Sequence, residues 1–299
     1  YQYDFINNDL NTANENEQEV NDGQDYHGTL CLSVLGGFKE GSLIGPAFKS
    51  EFLLAKTEIV AEEIQAEEDN YVAALEWGEE NGADISVASL GYYDWYEYED
   101  MDGNTAVTTV AVDIASSLGV LCVNSAGNSG SDEWNYINAP ADADSIISVG
   151  AVTDQGVIAY FSSKGPTYDG RIKPEVCAMG VSTFCARSNT ISEYRTASGT
   201  SLSAPLVGGA AAVVFSANSN WTAMQIRESL MMTALNADSP DTNYGYGIIN
   251  VLDAINYQHD LNVINNDIVI NDFKILKLYP NPFNPSVNIV LKFLRPSNI

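Results

Sequence analysis

The chain has 299 residues, 45% of them hydrophobic, which allows one large domain with a packed core and a remnant of a second. Its 13 Lys and Arg stand against 40 Asp and Glu, a net charge of −27, and this excludes a nucleic-acid-binding face, which needs a basic stripe. No apolar run reaches the ~18 residues of a transmembrane segment, and the acidic balance reads as a solvated surface that keeps the chain soluble.

The first 25 residues are polar and rich in Asn and Asp, which predicts a surface loop. From Tyr26 onward, short apolar runs alternate with longer helical patterns. Strands are expected over 52–57, 85–89, 120–123, 146–149 and 157–161. Helices are expected over 62–81, 105–118, 203–217, 222–235 and 251–257. In the first of these, Ala66, Tyr71, Ala74, Leu75 and Gly78 form one apolar stripe. Such alternation implies βαβ units, and so an α/β three-layer sandwich with a mostly parallel central sheet over 1–257. Residues 258–272 are Asn-rich and read as a linker. Beyond it, Pro280, Pro282 and Pro285 precede an alternating segment of Val287, Ile289, Leu291 and Phe293. That pattern predicts the start of a small β domain over 273–299, cut off before it could fold alone. The chain opens on Tyr1 without a leader and reads as an internal fragment, so the absence of a signal peptide says nothing about export.

Four cysteines are too few for a disulfide framework. Cys122 lies in an apolar run and reads as a small buried hydrophobe; Cys177 and Cys185 are close enough in sequence to pair in an oxidising compartment.

Only two histidines occur. His259 falls in the linker and reads as a solvated bystander. His27 stands directly before the apolar pattern of Leu30, Leu32, Val34 and Leu35, at the mouth of a buried helix. An imidazole there is a candidate general base, and equally an ordinary helix-entry residue. Ser201 lies in a run from Thr196 to Pro205 that leads into a helix rich in Gly and Ala. Gly199 allows a sharp turn and Pro205 is tolerated in a first helical turn, so Ser201 is presented at a positive helix end; the alternative is an N-cap serine. Asn128 follows a core strand, where its amide could face a reacting carbonyl oxygen or simply form a turn. Together these residues supply a base, an oxyanion donor and a nucleophile, three of the four parts that acyl transfer needs.

The motifs His27-Gly28-Thr29, Ser125-Ala126-Gly127-Asn128 and Gly199-Thr200-Ser201-Leu202-Ser203-Ala204-Pro205 resemble the histidine, oxyanion-asparagine and serine motifs of the subtilisin-like serine proteases, in that family's order. Ser89-Leu90-Gly91 is similar to the family's substrate-binding strand, and Ala139-Pro140-Ala141-Asp142 to a segment near its specificity pocket. The resemblance covers roughly residues 1–257 and implies a secreted, monomeric endopeptidase acting on proteins or peptides. It implies His27 and Ser201 as catalytic residues, and Asn128 with the Ser201 N–H as oxyanion donors. Substrate would lie along Ser89, Leu90 and Gly91, with Ser125, Ala126 and Gly127 beside the pocket. No cofactor is required, and structural calcium is compatible with the acidic loops, although no ligand loop of recognisable spacing appears.

The chain departs from the family in one important respect. The family's catalytic Asp lies upstream of the histidine in an Asp-Ser/Thr-Gly context, and none is present. Asp4 and Asp9 resemble the loop after that strand, so the third triad member is expected upstream of Tyr1. Leu202 and Leu206 replace a usual Met and His. A rival reading is a catalytically inactive subtilisin-like surface protein that binds peptides. Residues 278–289 resemble the start of the sorting domain of proteins exported by the bacterial type IX route, which implies an extracellular location and contact with the secretion machinery.

Overall fold

Apolar alternation of period two builds strands, and the longer patterns between them build helices. The computed structural model describes residues 1–259, 273–279 and 288–293, in two units, Tyr1–Tyr257 and Gln258–Ile299. The first unit begins with β1 (Gln2–Asp4), α1 (Glu17–Asp22), α2 (Tyr26–Gly36), β2 (Phe38–Lys39), β3 (Leu43–Ile44) and β4 (Leu54–Lys56). It continues through α3 (Ala66–Glu80), β5 (Ile85–Ala88), α4 (Val107–Leu118), β6 (Leu121–Ser125) and β7 (Ile146–Val152). It closes with β8 (Val176–Met179), β9 (Thr183–Ala186), β10 (Tyr194–Ala197), α5 (Thr200–Ala217), α6 (Ala223–Met232) and α7 (Val251–Ile255).

Strands β5, β6, β7 and β8 form one parallel sheet in that order, with Val87 opposite Val123, Val123 opposite Ile147 and Val149 opposite Val176. Every residue of β6 and β7 is buried, as continuous apolar runs in a doubly covered sheet must be. Leu121 and Val123 cluster with Val207, Ala211 and Val214 of α5 and Leu230 of α6. Between them, Cys122 faces the other way and clusters with Tyr71 and Leu75 of α3 and Val112 of α4. The fold is therefore the expected three-layer α/β sandwich.

Helix α5 packs against all four strands of this sheet. It is long and apolar enough by composition to cross a bilayer, yet most of it is buried inside the unit. Its close seating depends on Gly208, where an added Cβ would lie 2.4 Å from Val87 Cγ2.

Several expectations need correction. The first 25 residues are not one loop. Asp4 is fully buried and ion-paired with Lys56 at 2.8 Å, which locks β1 against β4 in parallel, while Asn16 caps α1 by accepting from the Glu19 N–H. Residues 157–161 do not form a strand: Ile158 only bridges Val152, and its N–H goes to the Tyr244 hydroxyl. Helix α3 starts at Ala66 because the buried Glu67 carboxylate takes the Ile59 and Ile64 N–H groups at 2.6 and 3.1 Å, holding the preceding residues in a loop. Cys177 and Cys185 are both free thiols; the first packs its sulfur toward the Tyr244 carbonyl, the second joins a cluster with Leu30, Val34 and Leu202.

The second unit contains an antiparallel pair, β11 (Phe273–Tyr279) and β12 (Asn288–Phe293), with a register shift between Ile275 and Lys277. The linker expected over 258–272 lies outside the described residues beyond His259, as do the prolines at 280, 282 and 285.

Strands β4 and β5 belong to separate sheets, and each has one edge without a strand partner among the described residues. Consistent with an open edge, all four residues of β5 are only half-buried. Glu58, just past β4, bridges toward β5 by accepting the Tyr92 hydroxyl at 2.8 Å. Loss of water around Glu58, reinforced by the nearby Glu67 carboxylate and opposed by the Tyr92 hydrogen bond, pushes its carboxyl up to about 7. The neutral acid is thus the form the fold prefers. Its stabilising contribution is complete below the ordinary Glu value of about 4.3 and fades as pH rises through about 7. Relative to wild type, Glu58→Gln should gain about 2 kcal/mol of unfolding free energy between about pH 5 and about pH 8. Urea denaturation at the two pH values measures this; a difference independent of pH would contradict it.

Candidate active site

His27 is the second residue of α2, and its ring is exposed. The helix is fixed by its opposite side, where Leu30 and Val34 pack with Leu202 and Leu206 of α5. The two leucines that depart from the family pattern thus form the wall on which α2 rests. Surrounding protein strips enough water from the imidazole to lower its pKa. Among the described residues, no carboxylate hydrogen-bonds or ion-pairs with it.

One helical turn after His27, Cys31 places its sulfur 3.9 Å from His27 Nε2 and 3.3 Å from the Ser201 carbonyl oxygen. Burial pushes this thiol up to about 11, so it stays protonated and serves as a weak donor. His27 and Ser201, far apart in sequence, therefore flank a single sulfur atom.

Helix α5 begins at Thr200, three residues earlier than its apolar pattern suggested, so Pro205 lies in the second turn. Proline has no N–H to give to the carbonyl four residues before it, and that carbonyl belongs to Ser201. The orphaned oxygen is taken up by the Ser89 hydroxyl at 3.1 Å and by the Cys31 thiol. Gly199, with φ 153°, provides the abrupt turn into the helix. Ser201 is buried, and its Oγ reaches only to the Ser89 carbonyl, at 3.5 Å.

Asn128 is exposed at the end of a buried stretch that continues from β6. Its Oδ1 accepts the Thr200 N–H at 2.9 Å and the Thr200 hydroxyl at 3.0 Å. Two donors on the oxygen fix which way the amide faces, leaving Nδ2 beside Gly199 as the free donor. The start of α5 thus carries a hydroxyl, helix N–H groups and a pinned carboxamide together.

The expected substrate residues are adjacent. Ser89 touches Ser201, as above, and the Leu90 carbonyl accepts from Asn124 Nδ2 at 2.8 Å. On the other side, Ala126 donates to Val149 and accepts from Asn138, while the Gly127 carbonyl accepts from Ser163. Gly91 and Gly127 both lie against the Asn138 side chain. Sequence reasoning missed Cys31 and Asn124. Cys31 was open to discovery, because it lies four residues after His27 on the same helical face.

One acidic group among the described residues comes together as metal ligands would: oxygens of Asp4, Asp9 and Glu15 lie within 4.8 Å of one another. Asp4 is already occupied by the Lys56 ammonium and the N–H groups of Ile6 and Asn7. Burial alone would raise its pKa, but Lys56 and those N–H groups outweigh burial and lower it. A cation of the protein itself thus neutralises the cluster, and the donor set does not call for a metal.

The geometry agrees with comparison to known proteins. The subtilase family matches residues 2–247. Subtilisin DY of Bacillus licheniformis is 40% identical over 182 residues, 60% of this chain and 60% of its own length. Serine protease AprX of Bacillus subtilis (strain 168) is 29% identical over 259 residues, 77% of this chain and 57% of its own length. The chain thus spans about three fifths of the length of these two curated relatives. The crystal structure of MycP1 with its N-terminal propeptide removed shares the fold, with a TM-score of 0.66 at 21% identity over 86% of this chain and 85% of that one. With a match from Gln2 to Gly247 that takes in His27, Asn128 and Ser201, the chain belongs to the subtilase family.

Proposed function

We propose that the protein is a secreted serine endopeptidase. In this reading His27 removes the Ser201 proton as the serine oxygen attacks a peptide carbonyl. The tetrahedral oxyanion is bound by Asn128 Nδ2 and the Ser201 N–H. His27 then passes its proton to the leaving amine, and water, activated by the same imidazole, releases the acyl group from Ser201. Substrate lies extended along Ser89, Leu90 and Gly91, with Ser125, Ala126 and Gly127 across from it. The reaction uses no cofactor. The observation that carries the reading is the Thr200 grip on Asn128 Oδ1, which turns the free amide donor toward the start of α5.

The missing carboxylate is assigned to a strand outside residues 1–299 that enters between β4 and β5. The unpaired edges of those strands and the half-buried state of β5 support this. Without that carboxylate the imidazole tautomer is not held, and the rate falls by ~10⁴ in triads of this kind. Residues 1–299 alone are accordingly poorly active. Export through the type IX route, by way of the segment after residue 272, completes the proposal and rests on the motif at 278–289. The lack of a carboxylate on His27 also favours the rival, an inactive peptide-binding subtilase.

Fluorophosphonate labelling of the intact protein separates the two. Ser201 should be labelled and the label should vanish in Ser201→Ala; undiminished peptidase activity in that variant would overturn the assignment. A second measurement follows His27 by NMR. In residues 1–299 its titration midpoint should fall below the ordinary value of about 6.5, and in the intact protein a neighbouring carboxylate should move it upward. Peptidase activity should rise with pH through the intact protein's midpoint, because only neutral imidazole accepts the serine proton. Equal midpoints in the two forms would contradict the added strand.

A further inference from the structure

We propose that Asn138 sets the substrate specificity of this site, selecting an uncharged hydrogen-bonding side chain, above all the carboxamide of Gln or Asn, at the residue whose carbonyl is attacked. The proposal deepens the peptidase reading and rests on it.

The backbone at Asn138 ties the two substrate-side strips together. Its N–H donates to the Ala126 carbonyl at 3.3 Å, and Ala139 exchanges hydrogen bonds with Tyr92 at 3.1 and 2.8 Å. Asn138 therefore crosses beneath the space between Ser89–Gly91 on one side and Ser125–Gly127 on the other. Its side chain fills that space between two glycines. A Cβ added at Gly91 would lie 2.9 Å from Asn138 Cβ, and one added at Gly127 would lie 3.0 Å from Asn138 Oδ1.

The carboxamide placed there has nothing to bond. Asn138 is 6% exposed, its Oδ1 is buried without a hydrogen-bond partner, and its Nδ2 makes no hydrogen bond among the described residues. A second amide repeats the pattern alongside. Asn124 is fully buried and spends its Nδ2 on the carbonyls of Leu90 and Ser125, which leaves its own Oδ1 without a partner. Buried polar atoms are almost always satisfied, so two orphaned amide oxygens bracketing one strip point to a partner that arrives with the substrate.

The chemistry of that partner follows from the lining. None of Ser89, Leu90, Gly91, Ser125, Ala126, Gly127, Asn138 and Ala139 is ionisable, so nothing in these strips calls for a charged side chain. A carboxamide supplies N–H groups for an orphaned oxygen and a carbonyl for Asn138 Nδ2, and an amide pair can form with either face turned. An apolar side chain of the same size would leave both oxygens dry and unpaired. Sites built to hydrogen-bond a substrate reject the analogue that lacks the polar group more strongly than apolar pockets sort by size.

The test uses the intact protein and two fluorogenic peptides that differ only in having Gln or its near-isostere Met at the cleaved position. Wild type should cleave the Gln peptide with a kcat/KM about tenfold or more above the Met peptide. Asn138→Ala should abolish that preference while fluorophosphonate labelling of Ser201 proceeds at the wild-type rate, which shows that the variant is folded. Equal or better cleavage of the Met peptide by wild type would overturn the proposal, since the orphaned oxygens would then be served by ordered water. A Gln preference that persists in a labelled Asn138→Ala variant would overturn it as well. Absence of labelling in wild type would instead remove the peptidase reading beneath it.

Discussion

The carbonyl of Ser201 is the joint on which the site depends. Inside an ordinary helix it would be bonded four residues onward, but Pro205 has no hydrogen to offer. The oxygen is therefore free to hold Ser89, from the segment after β5, and Cys31, from the helix that carries His27. One missing N–H thus draws three separate parts of the chain to the opening of α5. Thr200 adds a fourth by gripping Asn128.

This arrangement needs a rigid support, and the parallel sheet provides one. β6 and β7 are buried at every position, and α5 is pressed into them closely enough that Gly208 has no room for a methyl group against Val87. The sites of open parallel sheets form beyond the carboxyl ends of their strands, where loops such as Ser125–Asn128 and the turn at Gly199 emerge. The open edges of β4 and β5 stand in contrast to that rigidity. The fold is well packed where serine and amide are held and unpartnered where an imidazole would find its carboxylate.

Much of this was legible in the chain. His27, Asn128 and Ser201 each carry a local signature, because helix mouths, strand ends and tight turns restrict the residues around them. The alternating layers were legible for a similar reason: runs such as Ile146–Val152 must be apolar throughout to be covered on both faces. Short elements were not, because their existence depends on distant partners. β1 is three residues long and is held by Lys56, and the apolar run at 157–161 is drawn away from the sheet by Tyr244. The orphaned amides of Asn124 and Asn138 could not be read in advance either. Their meaning lies in hydrogen bonds that are not made, and no local pattern encodes those.

The central claim is that Asn128 and Ser201 act on the same reacting carbonyl, and a double-mutant cycle on the intact protein tests it most directly. Asn128→Ala should lower kcat by about 10²–10³ when Ser201 is present, a range taken from the equivalent substitution in subtilisin, and should cost nothing further in a Ser201→Ala background. Equal losses in the two backgrounds would show that the residues work independently and would contradict the account.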